Sequence, residues 1–350
     1  MRRRTKFAAL LTVGVLSLAA TACGDDGDSG DDTGDSAPES DIKVGMAYDV
    51  GGRGDQSFND SAAAGLDQAV EEFGMDSEES EAEDGEAETA REERLRTFAE
   101  AGYNPIIAVG FAYSASVAKV APEYPDVNFA IIDDEVAAGD NIANLVFAEE
   151  QGSFLVGAAA ALKSGAGQIG FVGGVETPLI QKFEAGYIAG AEAVNPDIQV
   201  DSTYLTQVPD FSGFADPAKG KTAAQGMFDG GADIVYHAAG GSGGGVFEAA
   251  AEAGEGNWAI GVDSDQYETA DPSLQDVILT SMLKNVNVAV YEYLTAVNDG
   301  DVPTGVTRYD LAVDGVGYST SGGFVDDITD QLDDYKQQII DGEIEVPTTP

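Results

Sequence analysis

IKVGMAYDVGGRGDQSFNDSAAAGLDQAVEEF, residues 42–73, contains the unit whose repetition decides the fold. Ile42–Tyr48 is a short apolar run, Asp49–Asp60 is polar and glycine-rich, and Ser61–Phe73 has apolar residues at helical spacing. A strand, a tight turn and an amphipathic helix make a βα unit. The unit recurs downstream. Further strands are expected at 105–110, 127–133, 142–147, 168–173, 198–205, 233–238, 257–262 and 277–281, with helices at 92–101, 116–123, 152–163, 180–194, 219–228 and 245–253. Such alternation predicts an α/β fold with parallel sheets covered by helices on both faces. The stretch MDSEESEAEDGEAE, 75–88, breaks the series. It reads as a solvated excursion with a very short or degenerate edge strand.

The series divides near Ala148–Gln151. An N-terminal lobe is expected over 42–148, completed by about 285–320, then a C-terminal lobe over 149–284 and a C-terminal segment over 321–350. Asp49 and Asp133 follow strands of the first half, and Gly173 and Asp263 follow strands of the second. Ligands of open α/β sheets bind outside the carboxyl ends of the strands, so two facing lobes predict a cleft walled by both.

Upstream, Arg2, Arg3, Arg4 and Lys6 precede the apolar run Phe7–Ala20, and Ala-Thr-Ala-Cys-Gly-Asp occupies 20–25. This reads as a secretory signal peptide over 1–22. The run is short of the ~20 residues that span a bilayer. A cut before Cys23 resembles a bacterial lipobox, with Ala20 where Leu is usual, and predicts a lipidated Cys23 as the anchor to the outer face of the cell membrane. The alternative is an ordinary signal peptide that contains a cysteine. Residues 24–41 lack any aliphatic side chain larger than Ala, so 23–41 is expected to be a disordered acidic tether. Cys23 is the only cysteine, which excludes an intrachain disulfide.

The formal net charge is −46, from 63 acidic and 17 basic residues. Loss of the four basic residues of the leader leaves 13 against 63, near −50. No basic footprint exists for nucleic acid, and polyanionic ligands are repelled at long range.

Several motifs carry less than they suggest. Gly240-Gly241-Ser242-Gly243-Gly244 fits G-x-S-x-G between a strand and a helix. The only histidine, His237, lies five residues upstream in the preceding strand and cannot serve Ser242 as a base. The turn is instead expected to let its backbone approach a ligand, and His237 to make a structural hydrogen bond. Gly165–Gly170 fits G-x-G-x-x-G but precedes a strand, so dinucleotide geometry fails and a helix C-cap is expected. No metal-ligand spacing and no nucleophile–base pair is found, so neither a cofactor, a metal nor an enzymatic activity is expected. Arg53-Gly54-Asp55 reads as incidental within its turn.

In Asp49–Asp60, Ser57, Asn59 or Asp60 can cap the first helix. Phe58 is either a hydrophobic staple or a ring presented to the cleft, with Asn59 as an amide that donates and accepts. Phe183 and Phe214, after second-lobe strands, are either core or cleft residues. Asp263 suits pairing with vicinal hydroxyls, and Lys284, at a lobe junction, is either a surface lysine or a site residue.

Taken in order, DQSFND at 55–60, AVGFAYS at 108–114, YPDVNFAIID at 124–133, FAEEQGSFLVGAAAAL at 147–162 and IGFVGG at 169–174 resemble the basic membrane protein family of purine nucleoside receptor A-like lipoproteins. FEAGYIAGA at 183–191, GFADPAKGK at 213–221, GADIVYHAAGGSGGGVFEAA at 231–250, AIGVD at 259–263 and TSMLKNV at 280–286 continue the resemblance. It implies the type I periplasmic-binding-protein fold, two doubly wound parallel-sheet lobes around a ligand cleft, and a monomeric substrate-binding protein that serves an ABC permease. It further implies a purine base sandwiched by Phe58 and by Phe214 or Phe183, with Asn59 and Asp133 on polar edges of base or sugar. Asp49, Asp263 and Lys284 would hold the ribose, with Gly240 and Gly241 allowing close approach. The alternatives are the same fold around a sugar or a small signalling molecule, or a surface adhesin or regulatory lipoprotein without a transport role.

Overall fold

A computed structural model describes residues 40–350. The expected signal peptide, Cys23 and nearly all of the acidic tether lie outside these described residues. The chain runs β1 (Lys43–Tyr48), α1 (Phe58–Phe73), β2 (Asp76–Glu81), α2 (Glu88–Glu100), β3 (Ile106–Val109), α3 (Ser114–Val120), β4 (Phe129–Ile132) and β5 (Ile142–Phe147). It continues through α4 (Glu149–Lys163), β6 (Gln168–Glu176), α5 (Pro178–Val194), β7 (Gln199–Gln207), α6 (Pro217–Gly230), β8 (Ile234–Ala238), α7 (Gly243–Ala253), β9 (Trp258–Asp263), α8 (Gln266–Thr269) and β10 (Ile278–Lys284). Last come α9 (Val286–Asn298), β11 (Gly305–Tyr309), β12 (Val316–Tyr318) and α10 (Thr329–Ile340).

Two six-stranded sheets result, in the orders β11-β5-β4-β3-β1-β2 and β12-β10-β9-β8-β6-β7. Every pairing is parallel except that of β12 with β10. Both sheets reverse strand order between their first and third strands, so β1/β3 and β6/β8 are the two switch points where an α/β sheet opens a crevice. The central strands are wholly buried runs, IIAV in β3 and FAII in β4, as expected for parallel strands covered on both faces.

The chain passes between the lobes three times: at Ala148 from β5 to α4, at Asn285 from β10 to α9, and between β11 and β12. The crossings are laced together, since Ala148 N–H donates to Tyr309 C=O (2.9 Å) and Asn285 N–H to Gly315 C=O (2.9 Å). α4 opens the second lobe and packs on α5 at very short range. A Cβ at Gly157 would stand 2.1 Å from the Tyr187 carbonyl oxygen, and one at Gly190 only 1.9 Å from that of Phe154. Only glycine permits that approach.

Three expectations need correction. Asp76–Glu81 is a full six-residue strand paired in register with β1 from Lys43 to Tyr48. Its DSEESE sequence has no apolar residue to signal it. Its side chains are tied instead by Tyr48 Oη and Arg53 Nε, both donating to Glu79 at 2.6 Å, and by Arg94 donating to Ser80. Like charges along an exposed edge also discourage pairing with another chain. The return to the first lobe ends with β11, because β12 pairs antiparallel with β10 of the second sheet, short of the expected 320. His237 is fully buried, but neither ring nitrogen has a partner. The ring packs edge-on to Phe247 (5.2 Å) and beneath Gly243, where a Cβ would meet it at 1.9 Å.

Candidate functional site

The turn after β1 builds one wall. Asp55, not Ser57, closes the N-terminus of α1. Its carboxylate accepts from the backbone N–H of Ser57 (2.9 Å), Asn59 (2.8 Å) and Asp60 (3.1 Å) and from Asn59 Nδ2 (3.1 Å). Asp60 reaches back to accept from Gly54 and Gln56 N–H at 2.7 and 2.9 Å. This double cap satisfies the free amides of the helix end and fixes Phe58 and Asn59 at its first positions. Asn59 Oδ1 accepts from Asp49 N–H (3.3 Å). Ser57 Oγ crosses to the other lobe and donates to Asp263 Oδ2 at 2.6 Å. Beside it, Ser264 Oγ donates to Ser57 C=O (3.1 Å) and Gln266 Nε2 to Gln56 C=O (3.0 Å). The lobes are therefore in direct contact.

Between them lies a partly enclosed cavity, the concave kind of place in which small molecules bind. Its lining includes Asp49, Phe58, Asn59, Asp133, Phe183, Phe214, Gly240, Asp263 and Lys284. These come from the carboxyl ends of β1, β4, β8, β9 and β10, the start of α1, α5, and the turn before α6. Gly241 is the one expected site residue outside the lining. Phe183 is both core and cleft, being 3% exposed. Phe58 is a cleft ring, 5.1 Å from Lys284 Nζ.

Sequence reasoning missed Phe111, Asp55, Leu179 and Ile180, which also line the cavity. Phe111 follows β3 and Leu179 opens α5 after β6, so the switch-point rule would have pointed to both. The Thr177 cap and Pro178 at the first helical position also mark the start of α5.

Lys284 is the cation of the cavity floor. It is 1% exposed, 2.5 Å from Asp133 Oδ2 and 3.3 Å from Glu149 Oε1. Its charge faces the rings of Phe58 and Phe147 at 5.1 Å and Phe183 at 5.5 Å. Burial lowers its pKa, but Asp133, Glu149 and Asp263 outweigh burial and hold it above the ordinary lysine value. Burial pushes the carboxyls up: Asp49 and Asp55 to about 6, Asp133 to about 7 despite the pull of Lys284, and Asp263 above its ordinary value. Asp133 Oδ1 is buried without a partner. Among the described residues no protein group donates to the second oxygen of Asp49 or of Asp263. One of the two N–H groups of the Asn59 amide is committed to Asp55. The side chains of the cleft thus set open carboxylate acceptors beside aromatic rings.

The decoy motifs are absorbed by the fold. Ser242 is buried, its Oγ donating to Gly213 C=O (2.7 Å) and accepting from Asp216 N–H (2.8 Å), and no base approaches it. The Gly165–Gly170 turn gives its N–H groups to Asp233, at 2.7 Å from Gly165 and 2.8 Å from Ala166. Among the described residues no cluster of three metal-ligating side chains is found, and no helix is long and apolar enough to cross a membrane.

The family model "ABC transporter substrate-binding protein PnrA-like" matches residues 42–350. The chain is 35% identical to a CD4+ T-cell-stimulating antigen of Listeria innocua, over the whole of both chains. It is 33% identical to the ABC transporter nucleoside-binding protein BmpA of Lactococcus lactis, covering 97% of this chain and 99% of that one. The fold is similar to a solved ABC transporter solute-binding protein of Aeropyrum pernix, with a TM-score of 0.77 and 32% identity over 88% of this chain and 93% of that one.

Proposed function

Because this chain belongs to the family of PnrA-like ABC transporter substrate-binding proteins, which bind and do not catalyse, we propose that it is a lipid-anchored, monomeric receptor. In this reading Cys23 carries the lipid, the cleft captures a purine nucleoside, and the closed complex delivers it to an ABC permease. The base stacks between Phe58 and Phe214, with Phe183 beneath. The open oxygens of Asp49 and Asp263 take ribose hydroxyls, while Asp133 takes a donor of the base or sugar. The observation that supports this most is the convergence of nine expected residues on one cavity with unpartnered carboxylate oxygens. The nucleoside-binding name of the Lactococcus lactis relative points the same way.

The energies suffice. Stacking contributes ~1–3 kcal/mol per base and each hydrogen bond to a charged group ~1.5–3 kcal/mol, against ~8 kcal/mol for micromolar affinity. A nucleoside is uncharged, so the protein's negative field does not oppose it, whereas a nucleotide is disfavoured. The test is thermal unfolding of refolded, ligand-stripped protein with nucleosides, free bases, nucleotides and sugars. A ligand at 100 times its dissociation constant adds ~2.7 kcal/mol. Stabilisation by purine nucleosides alone is the expected result. Silence across all nucleosides overturns the reading, and a response to sugars alone reassigns the cleft.

A further inference from the structure

A chain of side chains outside the cavity links the lobes at a second place. Arg91, on α2 of the first lobe, is 4% exposed. Its Nε has no hydrogen-bond partner, and its only ion pair among the described residues is a loose one, 3.6 Å to Glu86. A buried guanidinium so poorly paired is costly to keep. What it does have is two aromatic faces: Tyr113 of its own lobe at 5.8 Å and Phe211 of the opposite lobe at 5.5 Å. Phe211 belongs to the turn between β7 and α6 that also carries Phe214. Its ring meets Phe111, across the lobes, at 5.9 Å and 65°, and Phe111 meets Phe214 at 6.4 Å and 76°. Phe111 and Phe214 line the cavity, and Arg91 and Phe211 do not.

We propose that Phe211 is a gate over the mouth of the cleft and that Arg91 is the positioning residue that holds it shut through its guanidinium face. Opening the lobes carries Phe211 away and exposes Arg91 to water, while closing buries it between two rings. Cation–π contacts strengthen when desolvated, so this contact favours the closed state without touching the ligand. The gate acts on how long a ligand stays, not on which ligand is chosen. The same loop carries the Phe214 ring, so a shut gate also sets that ring in place. The guanidinium charge further reaches Asp49 in the cavity and favours its ionised form.

The inference rests on the nucleoside reading, and its test separates the two. Dissociation of tritiated adenosine and tritiated guanosine is followed by isotope dilution from wild type, Phe211→Ala, Phe211→Leu, Phe211→Trp and Arg91→Lys. Phe211→Ala and Phe211→Leu are expected to raise koff about tenfold, equivalent to ~1.4 kcal/mol, with the melting temperature of the free protein unchanged. Phe211→Trp restores slow release, and Arg91→Lys, which loses the planar cation, gives an intermediate rate. The ratio of the two nucleosides' affinities stays as in wild type. If wild type binds no nucleoside at all, the receptor reading falls and takes the gate with it. If wild type binds and the koff of Phe211→Ala stays within twofold, the gate alone is overturned. Equal koff for Phe211→Leu and wild type leaves Phe211 as bulk packing and removes Arg91 from the mechanism.

Discussion

Asp133 and Asp263 occupy the same place in the two lobes, just past β4 and at the end of β9, the fourth strand of each sheet along the chain. Both side chains are nearly buried, and both residues adopt left-handed backbone, with φ of 65° and 64°. Non-glycine residues rarely adopt this conformation, and it gathers at functional sites. Their partners differ. Asp133 pairs with Lys284 of the opposite sheet, beside the crossing at Asn285, while Asp263 accepts the hydroxyl of Ser57 from the opposite lobe. One geometry therefore serves two ends. Near the pivot, where relative motion is small, a buried ion pair can persist through opening. Further out, a neutral donor makes a contact that closure can form and opening can break at low cost.

Lys284→Met should have the largest effect. Removing the ammonium leaves Asp133 buried without a cation and Glu149 with only Lys182, at 3.4 Å, and breaking a buried ion pair typically costs ~3–5 kcal/mol. Urea unfolding measures it, and a loss below ~1 kcal/mol would erase the distinction between the two carboxylates. Asp263→Ala should weaken purine nucleoside binding about tenfold or more, as loss of a charged hydrogen bond does, while costing less stability than Lys284→Met. Calorimetric titration that shows unchanged affinity removes Asp263 from the site.

A pH comparison sharpens the contrast. A carboxyl whose pKa is raised in the folded state binds protons more readily there than when unfolded. Its protonation supports folding below the ordinary value near 4, and that support is lost as pH rises through about 7 for Asp133. The melting temperature of the ligand-free protein should therefore rise between pH 8 and pH 5. Asp133→Asn should flatten the rise more than Asp263→Asn does, and an equal flattening would make the two sites equivalent. The smallest effect is expected from Ser57→Ala. It removes one hydrogen bond between the lobes and should weaken affinity only a few-fold, near 1 kcal/mol. In a double-mutant cycle with Asp263→Ala the losses should be less than additive.

The sequence disclosed the parts of this molecule that rest on apolar burial. β3, β4 and β8 are unbroken buried runs, and their alternation with helices left few other architectures. β2 was illegible because DSEESE is held by backbone pairing to β1 and by Tyr48, Arg53 and Arg94, all distant in sequence. Within the site, residues directly after strands were readable from their position alone. Asp55 was not, because its capping role depends on the turn folding back so that one carboxylate meets three amides. Ser57 looked like a local cap, and only the meeting of two lobes gives its hydroxyl to Asp263, 206 residues away. The unpartnered His237 has the same cause, since its neighbours come from tertiary packing against Gly243 and Phe247.

The third crossing has a consequence for how the chain is made. β11, the outermost strand of the first sheet, is drawn from residues 305–309 and covers the edge of β5, Ile-Ala-Asn-Leu-Val-Phe at 142–147. Until residue 309 has been synthesised, any collapsed first lobe presents that apolar strand bare, and bare edges recruit other chains. Premature termination before 305 should thus yield a sticky fragment rather than an independent half, and the lobe named for the N-terminus is among the last parts of the protein to become safe.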